Sequence, residues 1–240
     1  MKAIVQILEV WGDLACFSRP ELKVERFSYP VITPSAARGI FDAIFAKPEE
    51  FRWQILAIEV LEKPAYVSLR RNEVKEKVDV AAVLDWMAGR REPEPLWADG
   101  DRGLTGTDEK GRTQRQTLAL KNVRYRLHAE IRPWPGHEAK QGALEAQFRR
   151  RAERGKCFYQ PYLGCREFPA YFRLASPGGT PAALPDQDLG LMLYDVFDLS
   201  RPGSAASPPA VSLFHARLEG GLIRVPDFAS AEVLKAGGTV

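Results

Sequence analysis

Val123-Arg124-Tyr125-Arg126-Leu127-His128-Ala129-Glu130-Ile131-Arg132 alternates without a break. Val123, Tyr125, Leu127, Ala129 and Ile131 fall on one side, and Arg124, Arg126, His128 and Glu130 on the other. A period of two marks a strand with one buried face and one polar face. Pro133-Trp134-Pro135-Gly136 breaks the pattern. Glu138 to Arg154 then reads as a helix, with Leu144 and Phe148 four apart and Gly155 suited to the position just past its end. Phe158 to Phe172 carries further strand character, interrupted at Gly164. The unit is strand, helix, strand.

The same unit stands earlier in the chain. Ala3 to Trp11 is apolar and β-branched, with Gly12-Asp13 as its expected stop. Thr33-Pro34-Ser35 opens a helix, capped by Thr33 or Ser35, with proline in the first turn. Ala36, Ala37, Ile40, Ala43 and Ile44 supply its apolar face, and Lys47-Pro48 ends it. Phe51 to Leu61 reads as the next strand. Between the two units, about residues 67–122 lack strong periodicity and are expected to form an insertion or mobile loop. The whole order is the split βαβ of a ferredoxin-like or RNA-recognition-type domain. Ser176-Pro177-Gly178-Gly179-Thr180-Pro181 then looks like a linker. Strand candidates follow at Leu191 to Leu199, Ala210 to Leu218 and Gly221 to Val225, with Glu219-Gly220-Gly221 as a hairpin turn. The expectation is an α+β fold. Residues 1–175 form the ferredoxin-like domain with an arm inserted at about 67–122, and residues 176–240 form a small antiparallel β unit.

Composition bounds the function. The chain has 240 residues, 45% of them hydrophobic, enough for a packed core. Its net charge is only +3, so a nucleic-acid role needs local basic patches in place of a global field. Three scattered cysteines fit a reducing cytoplasm better than a disulfide framework. No pair of cysteines has zinc-ligand spacing, no carboxylate cluster suggests a two-metal site, and no apolar run approaches a membrane span. A cytoplasmic protein with no cofactor and no membrane partner is expected.

The patches are present. Phe148-Arg149-Arg150-Arg151-Ala152-Glu153-Arg154-Gly155-Lys156-Cys157-Phe158-Tyr159-Gln160-Pro161-Tyr162 joins a basic helix end to an aromatic segment. Arginines bind phosphates and exposed aromatics stack on unpaired bases, which is what single-stranded RNA requires. Arg149, Arg150, Arg151 and Arg154 span more than one helical face, so about two of them can face RNA. Tyr159 and Tyr162 are stacking candidates, with core packing as the bland alternative. Lys23 and Arg26 lie in a loop-like segment, Arg38 sits early in the first helix where it can join the helix N-terminus in binding phosphate, and Arg70 and Arg71 flank the insertion.

Val10-Trp11-Gly12-Asp13-Leu14-Ala15-Cys16-Phe17-Ser18-Arg19-Pro20-Glu21-Leu22 resembles the opening of the CRISPR-associated Cas-five family, a RAMP-superfamily group, in its subtype I-C form. Thr33 to Ile40, Arg70-Arg71-Asn72-Glu73-Val74, and Tyr162-Leu163-Gly164-Cys165-Arg166-Glu167-Phe168-Pro169-Ala170 match the same family. The resemblance implies a subunit of an RNA-guided surveillance complex that holds the 5′ repeat-derived handle of the guide RNA. It also implies metal-independent cutting of the precursor transcript. Implied partners are the repeat RNA, a backbone Cas-seven subunit gripping about residues 78–113, a large Cas-eight subunit, and target DNA through the complex.

Such cleavage needs a base for the attacking 2′-hydroxyl, a cation for the phosphorane and an acid for the leaving oxygen. The family's pattern resembles a Tyr or His near the end of the first helix, with adjacent Lys and His early in the second. This chain departs at each position, reading Phe45, Ala143 and Leu144. Lys140 lies nearly one turn before Ala143, His137 precedes it, and Tyr159 is another polar group nearby in sequence. Two readings stay open: an endoribonuclease with a rearranged site built from Lys140, His137 or Tyr159, and a non-catalytic scaffold for the RNA handle.

Overall fold

The computed structural model describes residues 3–22, 24–97, 101–176, 178, 181–203 and 207–235. Its strands are β1 (Gln6–Ala15), β2 (Arg26–Phe27), β3 (Phe51–Val60), β4 (Ala65–Val74), β5 (Arg112–Pro133), β6 (Tyr171–Leu174), β7 (Gln187–Asp195), β8 (Ser212–Glu219), β9 (Leu222–Arg224) and β10 (Val233–Lys235). Its α-helices are α1 (Pro34–Ile44), α2 (Val80–Met87), α3 (Arg102–Thr105) and α4 (Gln141–Glu153), and a 3-10 turn at Glu138–Lys140 leads into α4. The fold is α+β. β6, β1, β5 and β3 lie side by side in that order, and each neighbouring pair is antiparallel. This is the split βαβ arrangement, with β5 between β1 and β3, and it gives the alternating Val123–Arg132 stretch a central position.

Aromatic packing seats the helices on this sheet. Thr33 caps α1 through its side chain, and the buried face of the helix carries Ile40, Phe41 and Ile44. The Phe41 ring lies 4.8 Å from Trp53 of β3 and 5.6 Å from Phe148 of α4, and Trp53 lies 4.7 Å from Phe148. These contacts join two helices to a strand through rings that exclude water, where burial of apolar area gives the largest stabilisation.

Several boundaries differ from expectation. β1 runs through Gly12-Asp13 to Ala15. Gly12 stays within the strand because the chain packs tightly there: a Cβ would stand 2.5 Å from a Leu163 methyl and 2.9 Å from the Pro169 carbonyl oxygen. The Phe158–Phe172 stretch is strand only from Tyr171 onward. Before that it is a loop set by Pro161, Pro169 and Gly164, whose φ of 84° puts its Cα against the Cys16 carbonyl; a Cβ there would lie 2.1 Å from that oxygen. Within the expected insertion at 67–122, the described residues include regular elements. β4 pairs with β5, and α2 and α3 lie between them in sequence.

The chain divides into two compact units, Met1–Val67 with Leu118–Val240, and Ser68–Thr117. The smaller unit falls inside the expected insertion. The strands after residue 176, expected as a separate small β unit, belong to the larger one. β9 pairs with the edge of β3, matching Ile58 with Ile223, and β8 pairs with β7, β9 and β10. An exposed edge of β3 offers unpaired amides and carbonyls, and β9 satisfies them.

On the polar side of the sheet, Glu9 ties three strands together. It accepts from Arg124 of β5 (Nε, 2.7 Å) and Arg173 of β6 (2.9 Å). Burial opposes the Glu9 carboxylate, but hydrogen bonds from Arg173 and Arg124 outweigh it and hold the group below its ordinary value of 4.5. A depressed carboxyl contributes stability that is present above that ordinary value and lost as pH falls through the folded-state value. Glu9→Gln is therefore expected to flatten the acid limb of the stability curve. Urea titrations of both proteins between neutral pH and the acid limb test this, and parallel curves would remove Glu9 from the acid response.

Candidate nucleic-acid interface

The first turns of α1 border a groove of about 350 Å³. Arg38, Asp42, Tyr159, Tyr162 and Phe197 line it. Arg38, expected to join the helix N-terminus on phosphate, is committed elsewhere. Its Nε and Nη2 donate to Asp195 of β7 at 2.6 and 3.0 Å, and its Nη1 donates to Asp42 one turn along α1. Asp195 is fully buried and also accepts from the backbone amides of Val196 and Phe197 at 2.8 and 3.0 Å. Burial works against the Arg38 charge, but Asp195 and Asp42 outweigh it and raise the guanidinium further above its usual value. Burial pushes the Asp42 carboxyl up, against the pull of Arg38. One cation between two acids leaves no positive charge for a phosphate.

The two tyrosines of the basic-aromatic stretch share this groove. Tyr162 is half-buried and Tyr159 is exposed. Burial of the phenol, with Asp42 close by, raises Tyr159 and keeps its O–H a donor. Phe158 is exposed. Its ring carries the Arg151 guanidinium 4.2 Å from its centroid, and its amide donates to the Ala43 carbonyl at 2.7 Å.

That stacking decides which arginines stay available. Arg151 Nε donates to the Ile44 carbonyl at 2.6 Å, closing the C-terminal end of α1. Arg149, Arg150 and Arg154 are exposed and make no ion pair among the described residues. Arg26 donates to Glu167 at 2.7 Å. Within the 68–117 unit, Arg70 is exposed, whereas Arg71 is half-buried and donates to Glu73 at 3.2 Å and Thr117 at 3.3 Å. Lys23 lies outside the described residues.

The three proposed catalytic groups are divided. Lys140 is exposed and pairs with Glu50 at 3.4 Å, and Lys47 pairs with the same carboxylate at 3.4 Å. Partial burial works against Glu50, but Lys47 and Lys140 together hold it below the ordinary range. Trp134 pins the next loop to this corner, its indole N–H donating to the Pro48 carbonyl at 2.7 Å. His137 follows, with a backbone bond to Trp134 and an Nδ1 that is shielded and has no partner among the described residues. Tyr159 stands instead in the groove with Arg38 and Asp42. Phe45 is the C-cap of α1, buried and stacked 5.4 Å from Phe51, and its carbonyl accepts from the Trp53 indole at 2.9 Å. Leu144 is core and Ala143 is exposed.

The family described as CRISPR-associated protein (Cas_Cas5), in its Cas5d form, matches residues 7–226. The chain belongs to the Cas5 family. It is 39% identical over 235 residues to the protein of Mannheimia succiniciproducens named CRISPR pre-crRNA endoribonuclease Cas5d, covering 94% of this chain and 96% of that one. The protein of the same name from Thermus thermophilus is 40% identical over 233 residues, covering 91% and 90%. Among solved structures, one described as a CRISPR-associated protein superposes with a TM-score of 0.62 at 18% identity over 96% of both chains. A functionally uncharacterized protein from Streptococcus mutans gives 0.60 at 19% identity, over 96% of this chain and 97% of that one. These two structures share the fold.

Sequence reading did not find Asp42, Asp195 or Phe197 in this Cas5 groove. No motif marks them, because Asp195 and Phe197 reach α1 only when β7 packs beside it. Arg38→Met leaves Asp195 buried without its cation, and is expected to cost about 3–5 kcal/mol. Chemical denaturation measures this; a loss under about 1 kcal/mol, the range of an exposed pair, would mean that the triad does not hold α1 to β7.

Proposed function

We propose that this Cas5 protein is a subunit of a type I-C CRISPR surveillance complex, that it binds the 5′ repeat-derived handle of the guide RNA, and that it cuts the precursor without a metal ion. The names of its relatives in Mannheimia and Thermus support the substrate class. One observation carries the catalytic part: His137 and Lys140 bracket the 3-10 turn that leads into α4, and Lys140 stands there with Lys47 around Glu50. The imidazole takes the proton of the attacking 2′-hydroxyl. Lys140 and Lys47 share a single Glu50, which leaves one positive charge to stabilise the phosphorane oxygens. Tyr159 serves the RNA as a stacking surface in the α1 groove. Arg149, Arg150 and Arg154 hold phosphates, and residues 78–113 meet the backbone subunit of the complex.

The second reading is a handle-holding scaffold without catalysis. The burial of Phe45 favours it, because that position supplies no proton donor and cannot turn outward without opening the aromatic core.

Two experiments separate these readings. Repeat RNA incubated with the protein in EDTA is expected to be cut once, and a 2′-deoxy substitution at the attacking position is expected to abolish the cut. Lys140→Ala is expected to slow cleavage by about 100-fold or more, the range for losing one preorganised donor to the transition state. Binding without cleavage would establish the scaffold. Separately, the double substitution Arg149→Ala with Arg150→Ala is expected to lower the slope of log affinity against log salt by about 1.4, or about 0.7 per lost phosphate contact. An unchanged slope would remove both arginines from the RNA surface.

A further inference from the structure

A second cavity lies in the larger unit, walled by none of the residues of α1 or α4. Its volume is about 510 Å³, and Arg19, Phe27, Lys63, Tyr66, Asp188 and Leu218 are among its walls. Its construction is aromatic and cationic. The Arg19 guanidinium lies 4.8 Å from the centre of the Tyr29 ring and 5.6 Å from that of Phe27. The backbone N–H of Arg19 donates to the Phe27 carbonyl at 2.9 Å, which fixes the residue that carries this cation. Its ion pair with Glu21 is long, at 3.8 Å, and its Nε is shielded without a partner among the described residues. Stacking therefore holds this guanidinium more than any carboxylate does.

Tyr66 and Phe27 stand side by side in the wall, with ring centroids 5.9 Å apart and ring planes 52° to each other. The Tyr66 hydroxyl donates to the Ser28 carbonyl at 3.3 Å, so the ring is anchored while 44% of the residue stays exposed. Lys63 stands three residues before it, exposed and with no ion pair among the described residues. Asp188, also in the wall, pairs with His215 at 3.1 Å and makes no ion pair with Arg19 or Lys63 among the described residues. A half-exposed anchored ring, beside Lys63 and beside an Arg19 whose ion pair with Glu21 is long, matches a flat group joined to an anion.

We infer that this cavity receives an unstacked base of the bound RNA against Tyr66 and Phe27, with the adjoining phosphate at Arg19 and Lys63. The inference rests on the RNA-binding reading above and adds a nucleotide subsite with a lining separate from that of the groove at α1. An RNA chain is favoured over a free mononucleotide because the cavity is open and because the cations at its edge leave the phosphate room to continue as a backbone.

The test uses the full-length protein and fluorescently labelled repeat RNA, followed by anisotropy. Tyr66→Ala is expected to weaken binding by about 5- to 150-fold, the span for losing one base–aromatic stack. Tyr66→Phe keeps the ring and is expected to bind as wild type does. Lys63→Ala is expected to lower the salt slope by about 0.7. Adenosine monophosphate in excess is expected not to displace the RNA; displacement would mean a site for free nucleotides and would overturn the assignment. Ultraviolet crosslinking of wild-type protein to repeat RNA carrying 4-thiouridine supplies a readout that needs no variant. A crosslink in the peptide around Tyr66 or Phe27 is expected. Tight wild-type binding with no crosslink there and no effect of Tyr66→Ala would overturn the subsite and leave RNA binding standing. Absence of wild-type binding would overturn both.

Discussion

The contact of Trp53 with Phe41 and Phe148 holds the remaining structure in place. It joins β3 to α1 and α4, and the Trp53 indole also fixes the Phe45 carbonyl at the end of α1. With that end fixed, Arg151 can close on the Ile44 carbonyl and lie over Phe158, which in turn bonds back to Ala43. The basic end of α4 is thus held at the C-terminus of α1, where a cation complements the helix dipole. The same packing makes Phe45 a core residue. A side chain that completes an aromatic cluster cannot also face a phosphate.

Two ionic arrangements, each around a buried carboxylate, then set which elements belong together. Glu9 gathers Arg124 and Arg173 from the strands on either side of it. Asp195 reaches from β7 to Arg38 of α1. The buried pair of Arg38 with Asp195 adds little net stability because desolvation offsets the attraction, yet breaking it is costly. The effect of both is on arrangement. The pair between Arg38 and Asp195 draws the C-terminal strands against the first helix, and the pairing of β9 with β3 extends the same sheet.

Arginine is abundant in this chain, and the structure sorts its copies by what they touch. Arg38, Arg124, Arg126 and Arg151 are bound to carboxylates or carbonyls within the fold. Arg149, Arg150 and Arg154 project from α4 with no such partner among the described residues. Arg19 is held by rings. The runs Arg70-Arg71 and Arg149-Arg150-Arg151 look uniform in sequence, but adjacent residues on a strand or helix point in different directions and meet different neighbours.

The sequence by itself determined the strand, helix, strand order of the two repeated units, the alternating faces of β5 and the family, because periodicity and ordered motifs are local, and it narrowed the α1 cap to Thr33 or Ser35. It also located the basic-aromatic stretch and the region that folds as the 68–117 unit. Tertiary structure alone decided that residues after 176 continue the sheet, since strand pairing depends on an edge more than a hundred residues away. It alone decided that Arg38 serves Asp195, that Arg151 serves Ile44, and that Tyr159 stands apart from Lys140 and His137. Those outcomes depend on which distant groups arrive at hydrogen-bond distance, and no spacing along the chain encodes that.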